Sequence, residues 1–337
     1  MLSIPDLNEH VTMLADWLEL KALLSPDGRI GFGTLVSATD LDIEEQEEDI
    51  ADEDLRQEGT VIAVQSVIAE RRKVVGSADY PFVVDDDGSA MQRVAPVTPV
   101  GAIYLFCLFL SHAYDRTILP EALAPKIDND VRDMFQVCAT VAAAGYVDGP
   151  AMSFGWPRPD SASFLDALKR IYGMFGDGTP HDSEPAGAPE QVKDDGIDVI
   201  AWKPSPDGLP GTQYLLGQVA SGNDWDKKSV ITYIDMFHQF WFSRQPASPQ
   251  TPAMFMPFCF KSKRDEDATL TQENAVGKMQ RLTAQFGVLF YRYRMPHYAA
   301  KGIIASAQHL VERIDELPRV QLWVQEYSDQ LWAAANP

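Results

Sequence analysis

Apolar side chains recur at one-turn spacing over residues 9–24 and stop at the Ser25-Pro26-Asp27-Gly28 turn, which predicts a first helix. Residues 60–75 carry the same period, although their β-branched content leaves a strand open. Helices are predicted at about 100–113 and 128–145. Around Gly155-Trp156-Pro157-Arg158-Pro159 two prolines stop any helix, and a domain boundary is expected near residue 155. Asp160 or Ser161 then caps a helix whose apolar face is Phe164, Leu165, Leu168, Ile171, Tyr172 and Phe175. A Pro-, Gly- and acid-rich loop follows over 177–193.

Two β-rich runs come next, Ile197–Trp202 and Thr212–Ala220, with Pro206-Asp207-Gly208 between them. Apolar runs flanking such a turn predict a β-hairpin. Closed symmetrically about Gly208, the hairpin sets Asp198 opposite Gln218 on the same side of the sheet. Asp198 is then a lone carboxylate in an apolar strand, a costly arrangement unless it is solvated, paired or bound to metal. Ser229–Phe242 and Thr271–Ala284 read as helices, and Ala253–Phe260 and Val288–Arg294 as strands. Residues 302–331 have helical spacing, interrupted at Leu317-Pro318.

The composition fits a globular chain with a real core: 337 residues, 45% of them hydrophobic and 23% charged. Its net charge of -21 is uneven, since residues 1–150 hold 27 acids and 10 bases while the remainder is near balance. Ten acids fall within Asp40–Leu55, a solvated loop or helix face. Such acidity opposes non-specific phosphate binding by the whole surface but leaves a local basic cleft open. Cys107, Cys138 and Cys259 form no CxxC pair and read as buried thiols of a reducing cytoplasm. The first residues lack a signal-peptide pattern, and the longest apolar run, Ala102–Leu110, is too short to span a bilayer. Phosphate-loop, dinucleotide, HExxH and GxSxG motifs are absent, and His238 falls on an apolar helix face as a core residue.

Asp195-Gly196-Ile197-Asp198 followed by Leu216-Gly217-Gln218-Val219-Ala220 resembles the Gly-Ile-Asp and Gln-x-Lys strands of the Mrr-like branch of the PD-(D/E)xK nucleases. The likeness covers roughly residues 160–300. It implies a restriction-endonuclease-like αβββαβ core over 156–337, with a mixed central sheet flanked by helices; with the acidic, mainly helical N-terminal domain that charge and periodicity predict over 1–155, the chain is expected to be α/β (α+β). It further implies Mg²⁺ or Mn²⁺ held by Asp198 and Gln218, with a lysine orienting the attacking water. Ala220 stands where that lysine belongs. Lys228, ahead of Lys227, is the candidate substitute from the start of the next helix. Asp166 falls one residue late for the family's helix acid, and Asp195 reads better as a turn residue than as a ligand. Arg292, Arg294 and Lys261, with Lys263, Arg264 and the neighbouring tyrosines, are candidate nucleic-acid contacts, against an alternating edge strand.

The expectation is a cytoplasmic, metal-dependent DNA endonuclease of bacterial restriction or anti-phage defence type, with a protein partner in a defence complex. Homo-oligomers are allowed and membrane association is not expected. The alternative is a nuclease-fold subunit that has lost catalysis and serves as scaffold or binding module. A third reading makes residues 40–55 an acidic nucleic-acid mimic.

Overall fold

The computed structural model describes residues 2–3, 10–39, 50–114, 116–158, 160–189, 192–222, 224–259 and 272–336, with only the backbone of 37–39, 50–56 and 272–275. Lys261, Lys263, Arg264 and most of the acidic run, residues 40–49, lie outside them.

The chain divides into two units, and the division is not at residue 155. Among the described residues, one unit holds the chain up to Lys126, Phe258, Cys259 and the stretch from Pro318 onward; the other holds Ile127–Pro257 and the residues from 272 to Leu317. The predicted boundary fails because the Trp156-Pro157-Arg158-Pro159 break ends a segment that is already part of the second unit's sheet.

The first unit contains α1 (Val11–Leu24), β1 (Arg29–Gly31), α2 (Thr34–Thr39), α3 (Ile50–Val75), β2 (Phe82–Val84), β3 (Ala90–Arg93) and α4 (Pro99–Ser111). The unit is mainly helical as expected, and three short strands in the order β1-β3-β2, all antiparallel, add to it a small sheet that was not expected. At three or four residues each they fall below the length at which alternation shows in a sequence. Thr98 caps α4 by accepting from the Gly101 N–H, and Pro99 sits at the first turn. From Val100 to Leu110 every residue of α4 is buried, so the apolar run is the centre of a core. Among the described residues no helix is long and apolar enough to cross a membrane.

A second feature of this unit is a buried charge cluster. Arg71 of α3 meets Asp16 Oδ1 at 2.6 Å and Glu19 Oε1 at 2.7 Å, both on α1, and no part of these side chains reaches solvent. His112 Nε2 lies 2.9 Å from Asp16 Oδ2. Tyr104 donates to Glu19 at 2.8 Å, and Tyr80 donates to the same carboxylate.

The second unit runs α5 (Asn129–Val147), β4 (Ala151–Ser153), α6 (Phe164–Phe175), β5 (Thr179–Pro180), β6 (Val199–Trp202), β7 (Tyr214–Val219), α7 (Ile231–Trp241), β8 (Phe242–Arg244), β9 (Gln250–Phe255), α8 (Gln272–Phe286), β10 (Val288–Phe290) and α9 (Arg294–Ala305). The last helix, α10 (Leu317–Ala335), returns the chain to the first unit, where Trp323 packs on Phe106 and Tyr327 on Phe109.

The second unit is mixed α/β. Its main sheet has five strands in the order β4-β6-β7-β9-β10; the pairs β4/β6 and β6/β7 are antiparallel, and β7/β9 and β9/β10 parallel. The predicted hairpin is present with the predicted register, since Val199 pairs with Gly217 and Trp202 with Tyr214. Alternation sorts the side chains of its two strands onto opposite faces. Ile200, Trp202, Tyr214 and Leu216 form one core with Leu165, Leu168 and Ile171 of α6 and Ile234, Phe237 and Trp241 of α7. Truncating a residue such as Phe237 there costs about 3–5 kcal/mol. Across the sheet lies α5, packed on β4, β6 and β7 and on α9. Gly145 of α5 and Gly302 of α9 are required by that packing, because a Cβ on either would collide with a carbonyl of the other helix.

Other expectations are adjusted in detail. Ser163, rather than Asp160 or Ser161, caps α6 by accepting from the Asp166 N–H. Only Val288–Phe290 of the proposed strand 288–294 pairs in the sheet; the chain then turns into α9.

Candidate functional site

The sheet's two central strands end together at Asp198 and Gln218, one position beyond the Val199–Gly217 pair. The Asp198 N–H donates to the Gly217 carbonyl at 2.8 Å, and Asp198 Oδ2 accepts from the Val219 N–H at 2.7 Å. The carboxylate thus grips the neighbouring strand on both sides of Gln218. Its own carbonyl accepts from the N–H groups of Phe154 at 2.7 Å and Gly155 at 2.9 Å, which ties in the chain just after the edge strand β4.

Gly155 makes this approach possible. A Cβ there would stand 2.7 Å from Asp198 Oδ1 and 2.5 Å from Gln136 Oε1, so no larger residue fits without moving the carboxylate. Gln136, buried on α5, donates to Ser153 Oγ at 2.7 Å and to the Asp198 carbonyl at 3.4 Å.

The electrostatics single out Asp198. Burial pushes its carboxyl up to about 7, and the Asp194 charge pushes the same way; the Val219 N–H and the Lys228 ammonium pull against them. A carboxyl poised near neutrality in a partly buried position is a hallmark of functional sites. Gln218 is buried, and its Oε1 makes no hydrogen bond to the described residues. A buried amide oxygen left without a donor is an anomaly that a ligand would resolve.

Lys228 is exposed, directly after the short 3-10 turn Trp225–Lys227, and its charge reaches Asp198. Lys227 instead pairs with Asp224 at 2.6 Å on the surface. Ala220, where the sequence resemblance would expect a lysine, is buried just after β7, its N–H donating to the Phe255 carbonyl.

Other candidates stand apart. Asp166 is exposed and accepts from the Ser163 hydroxyl in a capping arrangement. Asp195 adopts a left-handed backbone conformation, φ 51°, and accepts from Trp241 Nε1 at 2.8 Å, so it is a turn residue. Arg292 is wholly buried with its guanidinium 5.6 Å from the Tyr293 ring, which corrects its assignment as a surface contact for nucleic acid. Arg294 is half-buried, reaches the Leu289 carbonyl at 3.4 Å and lies over Tyr291. Arg292 lies in the turn before α9 and Arg294 is the first residue of that helix, so strand alternation does not apply to them. His238 is a core residue as expected: it lies 2.8 Å from the Tyr214 hydroxyl, and burial pushes it down to about 4, keeping it neutral.

Sequence reasoning missed Gln136, Gly155 and Asp194. Asp194 had a signal, as the first acid of the Asp194-Asp195-Gly196-Ile197-Asp198 run. Gln136 and Gly155 had none, since only the packing of α5 and of the chain beyond β4 brings them to Asp198.

Two oxygens, Asp198 Oδ1 and Gln218 Oε1, are of the type that a hard cation takes, and the orphaned amide oxygen fits such a group. Among the described residues no three His, Cys, Asp or Glu side chains cluster as a metal site. Two protein oxygens would leave an ion bound there most of its own water, as Mg²⁺ commonly keeps. No family model, curated protein or solved structure matches the chain.

Proposed function

We propose that the second unit is a metal-dependent nuclease-type domain that hydrolyses phosphodiester bonds of DNA, with Asp198, Gln218 and Lys228 at its reactive end. The observation that carries this reading is the near-neutral Asp198 beside the unsatisfied Gln218 oxygen at the paired ends of β6 and β7. The element order is compatible with it: α5, the antiparallel strands β4, β6 and β7, then α7 and the parallel strand β9 follow one another as αβββαβ, with α6, β5 and β8 between them. In this reading α5, and not α6, is the core's leading helix, and the exposed Asp166 of α6 has no part in the site.

Asp198 and Gln218 would hold Mg²⁺ or Mn²⁺, which when bound supplies Lewis-acid polarisation of a phosphate oxygen and a more acidic water. Lys228 contributes a positive charge to the phosphate and holds Asp198 towards its ionised form. The Val219 N–H fixes the carboxylate's direction, and Gly155 leaves Oδ1 uncovered by a side chain.

Purified protein with Mg²⁺ or Mn²⁺ should cut DNA, and Asp198→Ala should lower the rate at least ~100-fold, a loss typical of removing a directly acting group. Lys228→Ala should fall well below Lys227→Ala. Full cutting by Asp198→Ala would end the assignment. The buried Ala220 favours a second reading, a nuclease-fold scaffold or binding module that no longer cuts. Calorimetric titration with Mn²⁺ separates the two: heat lost on Asp198→Ala supports the working site, and the absence of binding to wild type supports the scaffold.

A further inference from the structure

Two exposed aromatic rings, Trp156 and Tyr233, belong to or lie against the chain segments next to Asp198. Trp156 follows Gly155 directly and is 52% exposed, although a tryptophan of that size is ordinarily buried. Its inner side is occupied: the Arg158 guanidinium lies 5.6 Å from the Trp156 ring centroid and also contacts the rings of Phe154 and Phe164. Arg158 is itself buried, anchored by bonds to the carbonyls of Ala162, at 3.4 Å, and Lys193. A buried cation with aromatic walls props the indole outward and leaves its exposed side to solvent.

The second ring is Tyr233, 40% exposed on α7. Gly196, two residues before Asp198, has φ 81° and lies against the Tyr233 ring, where a Cβ would be 2.8 Å from Cδ2. Lys228 and Lys193 are exposed within the same segments. Flat rings exposed beside ammonium groups and a candidate reactive carboxylate match how proteins take unpaired nucleic acid, with bases stacked on aromatics and phosphates near cations. Paired bases have their faces covered by stacking and offer nothing to such rings.

We propose that the site takes an unpaired nucleic-acid strand, one base stacking on Trp156 and another on Tyr233, so that the phosphodiester between them lies at Asp198. This rests on the reading of Asp198 as the reactive end of the site. It narrows the substrate from DNA in general to single-stranded or locally opened strands.

The test uses the full chain carrying Asp198→Asn, with no divalent cation, and fluorescein-labelled 20-mers of oligo-dT and of mixed-sequence duplex DNA. Anisotropy titration should give tighter binding to the single strand than to the duplex. Trp156→Ala should weaken single-strand binding about tenfold, Trp156→Phe should restore most of it, and Tyr233→Ala should weaken it similarly. Duplex binding should not move in any variant. Equal affinity for duplex and single strand, no detectable binding to the single strand, or a Trp156→Ala variant that binds the single strand as tightly as its parent would each overturn the proposal. Weakened binding in both Trp156→Ala and Trp156→Phe, with unfolding temperature unchanged, would also overturn it, because stacking would not be the cause. Cutting assays on the otherwise native chain keep the two readings apart. Single-strand binding through Trp156 without cutting sinks the nuclease and leaves this proposal standing; duplex cutting indifferent to Trp156→Ala does the reverse.

Discussion

Both units bury charge, and they treat it in opposite ways. In the first, Asp16, Glu19, Arg71 and His112 lie fully out of water, with the carboxylates set against a guanidinium, an imidazole and two tyrosine hydroxyls at hydrogen-bonding distance. In the second, Asp198 is partly exposed, is pushed up to about 7, and stands near another acid, Asp194, with one backbone N–H as its close donor among the described residues. Gln218 beside it lacks a partner for its oxygen among those residues. A closed network of paired groups fixes helices to one another; a strained, open one leaves chemistry undone until a ligand arrives. The difference separates architecture from function more sharply than burial alone does.

Breaking the closed network should give the largest effect. Arg71→Met leaves Asp16 and Glu19 buried without their shared cation, and the expected loss is about 3–5 kcal/mol of stability. Denaturant unfolding measures it, and a loss under ~1 kcal/mol would show that the cluster is not holding α1 to α3.

Next comes Gly155→Ala, whose Cβ would press on Gln136 and on Asp198 Oδ1. Overpacking of this kind costs about 1–3 kcal/mol. Cutting should fall as far as in Asp198→Ala, measured below the variant's own unfolding temperature; unchanged activity would place the reactive oxygen elsewhere.

The smallest effect has the opposite sign. Folded Asp198 titrates at about 7, against ~3.9 in an unfolded chain, so the folded state binds more protons between those values and stability falls as pH rises through that window. Asp198→Asn removes the buried charge. It should therefore stabilise the chain by about 1–2 kcal/mol at pH 8, a figure reduced for partial exposure, and by no more than a few tenths of a kcal/mol at pH 4. Thermal unfolding at the two pH values reads the difference, and a stabilisation equal at both would show that ionisation is not its source.

What could be read from the sequence was local. The turn at Gly208 fixed the pairing of β6 with β7, and with it the meeting of Asp198 and Gln218, because hairpin register follows from the turn and the alternation around it. The helices α1, α4, α5, α6, α7 and α8 showed in their apolar periods. The boundary between units did not, since it depends on α5 joining a sheet whose strands lie up to 160 residues further along. Arg292 was misplaced because Val288–Arg294 alternates like a strand, yet the ladder stops at Phe290. The surroundings of Asp198, Gln136 on α5 and Gly155 with Trp156 after β4, come from two segments separate from its own strand, and no spacing rule links them.

The return of α10 to the first unit has a consequence for how the chain is made. Trp323 and Tyr327 cover Phe106 and Phe109, side chains synthesised more than two hundred residues earlier. On a ribosome, the unit carrying Asp198 is complete in sequence while the one begun before it still lacks its last helix. At ~5–20 residues per second, α4 waits on the order of ten seconds or more for its cover. The nascent chain thus exposes its most apolar helix while the later-begun unit can already close, and it is there, rather than at the site, that a chaperone would be needed.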